Sequence, residues 1–204
     1  MSADHYFTAS PAGPDERRTL DVRLAGREVQ VQSATGVFSG HRIDLGTRVL
    51  LREVPAAPPR GELLDLGCGW GPLTLTMAMQ APQARVWAVD VNDRALDLTR
   101  LNAQALGLDG VRTVRPEQVP DEVRFAAIWS NPPIRVGKPA LHALLERWLP
   151  RLDVGGTAHL VVQRNLGADS LTQWMQQRFS PDLDIKKLGS AKGFRVIGVR
   201  RASV

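Results

Sequence analysis

The chain has 204 residues, with 26 Lys and Arg against 21 Asp and Glu, a net charge of +5. One domain of this length can bury a core, and a hydrophobic content of 43% excludes a largely disordered chain. A lone cysteine, Cys68, excludes an internal disulfide, and no apolar stretch is long enough for a membrane span or a secretory signal, so a cytoplasmic setting is expected.

Residues 1–18 are polar and turn-rich, with His5-Tyr6-Phe7 as their aromatic cluster. Leu20, Val22 and Leu24, then Val29 and Val31, alternate with polar residues on either side of Ala25-Gly26. This pattern predicts a β-hairpin near 19–32 with one apolar face. Gly36-Val37-Phe38-Ser39-Gly40 reads as a glycine-flanked loop. Ile43 to Glu53 reads as a short helix interrupted early by Gly46. The break from Pro55 to Gly61 sets off residues 1–58 as an N-terminal hairpin and substrate/cofactor-side module, leaving 59–204 as the main domain.

From residue 61 strands and helices alternate. Strands are predicted at 62–66, 85–89, 111–114, 123–129 and 157–162, and helices at 72–80, 94–106, 139–149 and 170–179. Two further strands, 184–188 and 194–199, have no helix between them and are expected to pair antiparallel. The fold class is therefore α/β, with a mostly parallel sheet carrying helices on both faces.

Asp65-Leu66-Gly67-Cys68-Gly69-Trp70-Gly71 places three glycines directly after a strand and before a helix, the setting of a nucleotide or nucleoside site. The spacing is not GxGxxG. A carboxylate at Asp65 repels a pyrophosphate and attracts a cationic group. Asp90 ends the next strand, where a carboxylate can bind both hydroxyls of a ribose. Together they favour a nucleoside with an amino-acid tail over a nicotinamide dinucleotide; the alternative is a tight turn with two surface aspartates. Cys68 reads as loop packing, since no histidine or second cysteine near it in sequence makes it a nucleophile.

Trp129-Ser130-Asn131-Pro132-Pro133 follows a buried apolar strand. Two prolines remove two donors and fix two φ angles, holding Asn131 extended at the rim of the sheet. Its carbonyl can accept a hydrogen bond from the exocyclic amine of a flat substrate. The alternative is an ordinary Asn-Pro turn. Arg135 and Lys138 can hold phosphate, or serve as a surface arginine and a helix start. The four histidines are scattered without ligand spacing, so no metal is assigned. The basic excess is local, with Lys186, Lys187, Lys192, Arg195, Arg200 and Arg201 near the end. It permits an RNA partner without requiring one.

On these motifs residues 60–200 resemble class I S-adenosylmethionine-dependent methyltransferases. The carriers are Asp65 to Gly71, Asp90-Val91-Asn92 and Asn131-Pro132-Pro133-Ile134. With His5-Tyr6-Phe7, Gly36-Val37-Phe38-Ser39, Asp44-Leu45-Gly46-Thr47 and Arg135 with Gly137-Lys138, the chain looks closest to the catalytic domain of small-subunit ribosomal RNA guanine-N2 methyltransferases. The resemblance implies a seven-stranded sheet of order 3-2-1-4-5-7-6 with its last strand antiparallel. It implies S-adenosylmethionine held by Asp65, Gly67, Cys68, Gly69, Asp90, Asn92 and Phe38, and catalysis at Asn131, Pro132 and Pro133. Substrate contacts fall to Ile134, Arg135 and Lys138, with Asp44 on the cofactor or substrate side. The implied partner is ribosomal RNA or the small ribosomal subunit, as monomer or homodimer. Two departures stand out. The fourth motif position is aliphatic, Ile134, where relatives are aromatic. Glu117 stands near the place where relatives often carry an acid beside the adenine. Methylation of an adenine N6 or a protein glutamine, and a non-catalytic RNA-binding module, are the competing functions.

Overall fold

The computed structural model describes residues 15–202, so His5-Tyr6-Phe7 lies outside the described residues. Strands β1 (Arg17–Leu24) and β2 (Arg27–Ala34) form the N-terminal hairpin, antiparallel and in register from Arg17 opposite Ala34 to Leu24 opposite Arg27. Helix α1 (Leu45–Glu53) follows. Next come β3 (Glu62–Leu66), α2 (Pro72–Gln80), β4 (Arg85–Val89), α3 (Asp93–Ala105) and β5 (Val111–Val114). The chain continues through β6 (Phe125–Ser130), α4 (Lys138–Trp148), β7 (Leu152–Gln163), α5 (Ala168–Phe179), β8 (Leu183–Ala191) and β9 (Phe194–Arg201).

The main sheet runs β5-β4-β3-β6-β7-β9-β8. Counting its own strands, this is the order 3-2-1-4-5-7-6. The pairs from β5 to β7 are parallel, and β9 lies antiparallel to both β7 and β8. Alternate side chains feed opposite faces. On β3, Leu64 and Leu66 join Ile128, Leu145 and Trp148 beneath α4 and α5. Leu63 on the same strand points the other way, to Trp129, Val49, Leu50 and Met77 beneath α1 and α2. The hairpin shares a third cluster with the main sheet's helices, in which Val22, Leu24 and Val31 meet Trp70, Leu75 and Leu98. Among the described residues no helix is long and apolar enough to cross a membrane.

Element limits differ from the sequence-based expectation in several places, β8 reaching Ala191 rather than Leu188 among them. Gly46 does not interrupt α1 but lies buried in its first turn. A Cβ there would stand 2.9 Å from Asp44 Oδ2 and 2.9 Å from Phe194 Cε1, so glycine is required for space. Strand β7 begins at Leu152 rather than Thr157, because Leu152 pairs with Phe125 ahead of a register shift. Strand β6 covers Phe125–Ser130 rather than 123–129.

Candidate active site

The carboxyl ends of β3, β4 and β6 open on a cavity of about 300 Å³. Such a crevice is the usual binding place of an open α/β sheet. The glycine loop after β3 is fixed from below, since Gly67 N–H and Cys68 N–H both donate to Val89 O, at 2.8 and 3.1 Å. Gly67 and Gly69 hold φ of +83° and +56°. A Cβ on Gly67 would meet nothing within 4 Å, and one on Gly69 only Phe38 O at 4.0 Å. The loop thus presents bare backbone to the cavity.

Asp90, following β4, accepts from Gly69 N–H and Asn92 N–H, each at 3.0 Å, and lines the same cavity. Burial raises its carboxyl above the usual range, against the lowering effect of these backbone donors. Asn92 also lines the cavity, but its side chain has local work. It caps α3 by accepting from Arg94 N–H, and donates to Gly36 O at 2.9 Å. That bond anchors the loop carrying Phe38, which Trp70 Nε1 also holds by donating to Ser39 O. Phe38 consequently hangs beside the glycine loop and lines the cavity.

Asp65, near the end of β3, is completely buried. Its Oδ2 accepts from Thr74 N–H at 2.9 Å and Thr74 Oγ1 at 2.6 Å, while Oδ1 is buried without a partner among the described residues. Burial pushes its carboxyl up to about 7, the Thr74 bonds opposing it. Cys68 is buried too and faces a small recess adjoining the cavity. Burial, with Asp90 and Asp65 nearby, keeps the thiol protonated far above its usual value, consistent with packing rather than nucleophilic chemistry.

The Asn-Pro-Pro turn is tied to the glycine loop by Ser130 Oγ, which donates to Leu66 O at 2.6 Å. Asn131 Nδ2 donates to Asp44 Oδ2 at 3.0 Å and to Thr47 Oγ1 at 3.1 Å. A carboxylate only accepts, so this contact sets which way the amide faces. Asp44 is itself fixed as the cap of α1, accepting from Gly46 N–H at 2.7 Å and Thr47 N–H at 3.3 Å. Among the described residues the Asn131 carbonyl oxygen is thereby left as the free acceptor of the amide. Pro132, Pro133 and Ile134 line the wall beyond it. The Pro132 carbonyl already accepts Ile134 N–H at 2.9 Å.

Two of the sequence candidates stand elsewhere. Lys138 opens α4, exposed and outside the cavity lining. Glu117 is exposed on a short 3₁₀ turn, and its neighbour Pro116 lines the cavity instead. The Arg135 side chain lies outside the description. Sequence reading missed Gln163, Leu166 and Phe194, all in the lining. The available signal was position: Gln163 ends the strand beside β6, where side chains reach the crevice.

Comparison with known proteins agrees with this geometry. The family model of the methyltransferase small domain matches residues 28–198. The Bacillus subtilis protein YbxB is 30% identical over 202 residues, covering 98% of this chain and 99% of its own. A Pseudomonas aeruginosa ribosomal RNA small subunit methyltransferase C is 34% identical over 201 residues, covering 95% of this chain. The solved structure of the Thermus thermophilus 16S ribosomal RNA N2 G1207 methyltransferase, in complex with AdoMet and guanosine, aligns with a TM-score of 0.79 at 26% identity over 94% of this chain. The chain spans 58% of the Pseudomonas protein and 52% of the Thermus chain.

Proposed function

The chain belongs to the methyltransferase small domain family, and we propose that it transfers a methyl group from S-adenosylmethionine to the exocyclic N2 amine of a guanine in small-subunit ribosomal RNA. The observation that carries the reading is the orientation of Asn131. Its amide nitrogen is engaged by Asp44 and Thr47, so its oxygen is the acceptor offered to a planar amine. The guanine and the ribosomal RNA come from the relatives' own substrates.

The residues fit the cofactor. Beyond the two N–H bonds it accepts, the Asp90 carboxylate keeps lone pairs for the ribose hydroxyls. The bare backbone at Gly67 and Gly69 leaves room for the amino-acid tail. Asp65, with Oδ1 buried and unpartnered, is assigned to the ammonium of that tail. Phe38 and Asn92 complete the surround, and Cys68 contributes packing beneath the loop. When bound, S-adenosylmethionine supplies an electrophilic methyl group on a sulfonium sulfur.

The rest is the work of Asn131 and its turn. In free guanine the N2 lone pair is delocalised into the ring. Asn131 Oδ1 accepts one amine hydrogen, and the remaining lone pair of the Pro132 carbonyl serves the other. This draws the nitrogen lone pair out of conjugation and stabilises the positive charge that develops there. Pro133 and Ile134 cover the base. A base within paired RNA has to be turned out to reach the cavity. Lys138 and the basic stretch of Lys186, Lys187 and Lys192 hold phosphates while it does. Residues 1–58 act as the module that brings Phe38 and Asp44 to residues 59–204. The reaction takes place in the cytoplasm.

The test is to incubate the protein with methyl-tritiated S-adenosylmethionine and either ribosomal RNA or intact small subunits, then digest to nucleosides. Label in N2-methylguanosine is expected. Label in N6-methyladenosine or in protein glutamine would replace guanine as the substrate. Binding of RNA without any label would leave a non-catalytic module.

A further inference from the structure

The aliphatic Ile134 leaves the Asn-Pro-Pro wall without a ring on which a base can stack. An aromatic ring stands elsewhere in the cavity. Phe194 opens β9 directly opposite Gln163, the last residue of β7. Directly opposed residues of an antiparallel pair project to one face of the sheet. Here it is the face of Val161 and Val196, under α1. Both Phe194 and Gln163 line the cavity and both are half-buried.

The missing side chain at Gly46 leaves the ring its place beside Asp44, the carboxylate to which Asn131 Nδ2 donates. The point where a Cβ would stand there lies 2.9 Å from Phe194 Cε1, 3.1 Å from Phe194 Cδ1 and 2.9 Å from Asp44 Oδ2. One ring edge thus rests on the first turn of α1, next to the carboxylate that orients Asn131. Gln163 adds a polar group to the same patch. Among the described residues its side-chain amide makes no hydrogen bond. One donor and one acceptor together suit the edge of a purine.

We propose that Phe194 is the stacking platform for the target base and that Gln163 hydrogen-bonds its edge. The platform replaces, from the opposite end of the chain, the stacking that Ile134 cannot supply. The inference rests on the nucleobase reading of the preceding section but does not depend on which RNA position is methylated.

The test uses the full chain saturated with S-adenosylhomocysteine and titrated with 2-aminopurine riboside, a fluorescent nucleoside carrying the 2-amine. Saturable quenching is expected for the wild type and for Phe194→Tyr. Phe194→Leu keeps an apolar side chain and should weaken binding by on the order of 10-fold or more. Gln163→Leu should weaken binding while the quenching at saturation remains. Calorimetry with S-adenosylhomocysteine should stay within about 2-fold for all three variants, a change far below that expected from loss of a stacking contact. Wild-type affinity for the riboside in Phe194→Leu, or no saturable quenching in the wild type, overturns the platform. Unchanged affinity in Gln163→Leu removes the edge contact. Label transfer to ribosomal RNA separates the two levels. Normal guanine methylation by Phe194→Leu refutes the platform and keeps the function. The expected riboside pattern with label on another nitrogen keeps the platform and refutes guanine.

Discussion

Asn102 treats Gln32 as a neighbouring strand would. Its Oδ1 accepts the Gln32 N–H at 2.6 Å, and its Nδ2 donates to the Gln32 carbonyl at 2.8 Å. The same nitrogen donates to Trp70 O at 2.9 Å. One buried side chain of α3 therefore closes the open edge of β2 and ties it to the glycine loop. Asn102→Leu leaves these backbone groups unpaired. It should cost about 3 kcal/mol, lowering Tm by roughly 10 °C for a chain of this size. A thermal scan with unchanged Tm would show that water replaces the contact.

Asp44 and Asn131 separate orientation from folding. Asparagine caps a helix about as well as aspartate, so Asp44→Asn keeps α1. Its oxygen stays with the Gly46 and Thr47 N–H groups, where Asp44 Oδ2 also accepts from Asn131, but the charge is lost and the bond that holds the amide weakens. Turnover should fall by on the order of 10-fold, and in Asn131→Ala by on the order of 100-fold, the scale of a lost preorganised contact. S-adenosylhomocysteine affinity should move little in either. Single-turnover methylation is the measurement, and near-normal rates in Asn131→Ala would make the amide structural.

Asp90 holds Gly69 N–H and Asn92 N–H and faces the cavity. Asp90→Ala removes the acceptor for two ribose hydroxyls and frees the loop. The affinity for S-adenosylhomocysteine, read by calorimetry, should drop by on the order of 100-fold, as expected when bonds to a charged group are lost. A change of only a few fold would move the ribose elsewhere.

Asp65 should make cofactor binding depend on pH. Its carboxyl is raised from 3.8 to about 7 by burial, so the folded chain keeps a proton that the unfolded chain has released. The stability this contributes is present below 3.8 and is lost as pH rises through about 7. A bound ammonium favours the ionised form, so S-adenosylhomocysteine affinity should rise as pH passes upward through that value. Asp65→Asn should flatten the profile. Equal slopes in the two proteins would assign the ammonium to another group.

Strands β3, β4 and β5 match their predicted limits because each is a short run with apolar or alternating pattern closed by Gly, Asp or Arg-Pro punctuation. The start of β7 does not, since Asp153 and Gly155-Gly156 carry turn signals. Gly156 is needed because the backbone runs close to β6, where a Cβ would stand 2.7 Å from Phe125 O, and Gly155 because its φ is +75°. In the cavity, the glycine loop, Asp90 and Asn131 are local motifs and could be read directly. Gln163 and Phe194 meet only because β9 inserts antiparallel beside β7, a non-local pairing that no window of sequence contains. Asp65 is conspicuous in sequence, yet its depth is set by Thr74 on the following helix.

Trp70 belongs to the glycine loop by sequence and to the hairpin's cluster by packing. A loop whose indole is embedded in another segment cannot open alone. Its amides and those of β2 therefore form one unit of hydrogen exchange, protected or exposed together. A ligand that clamps Gly69 should slow exchange at Val31, a strand residue outside the cavity lining.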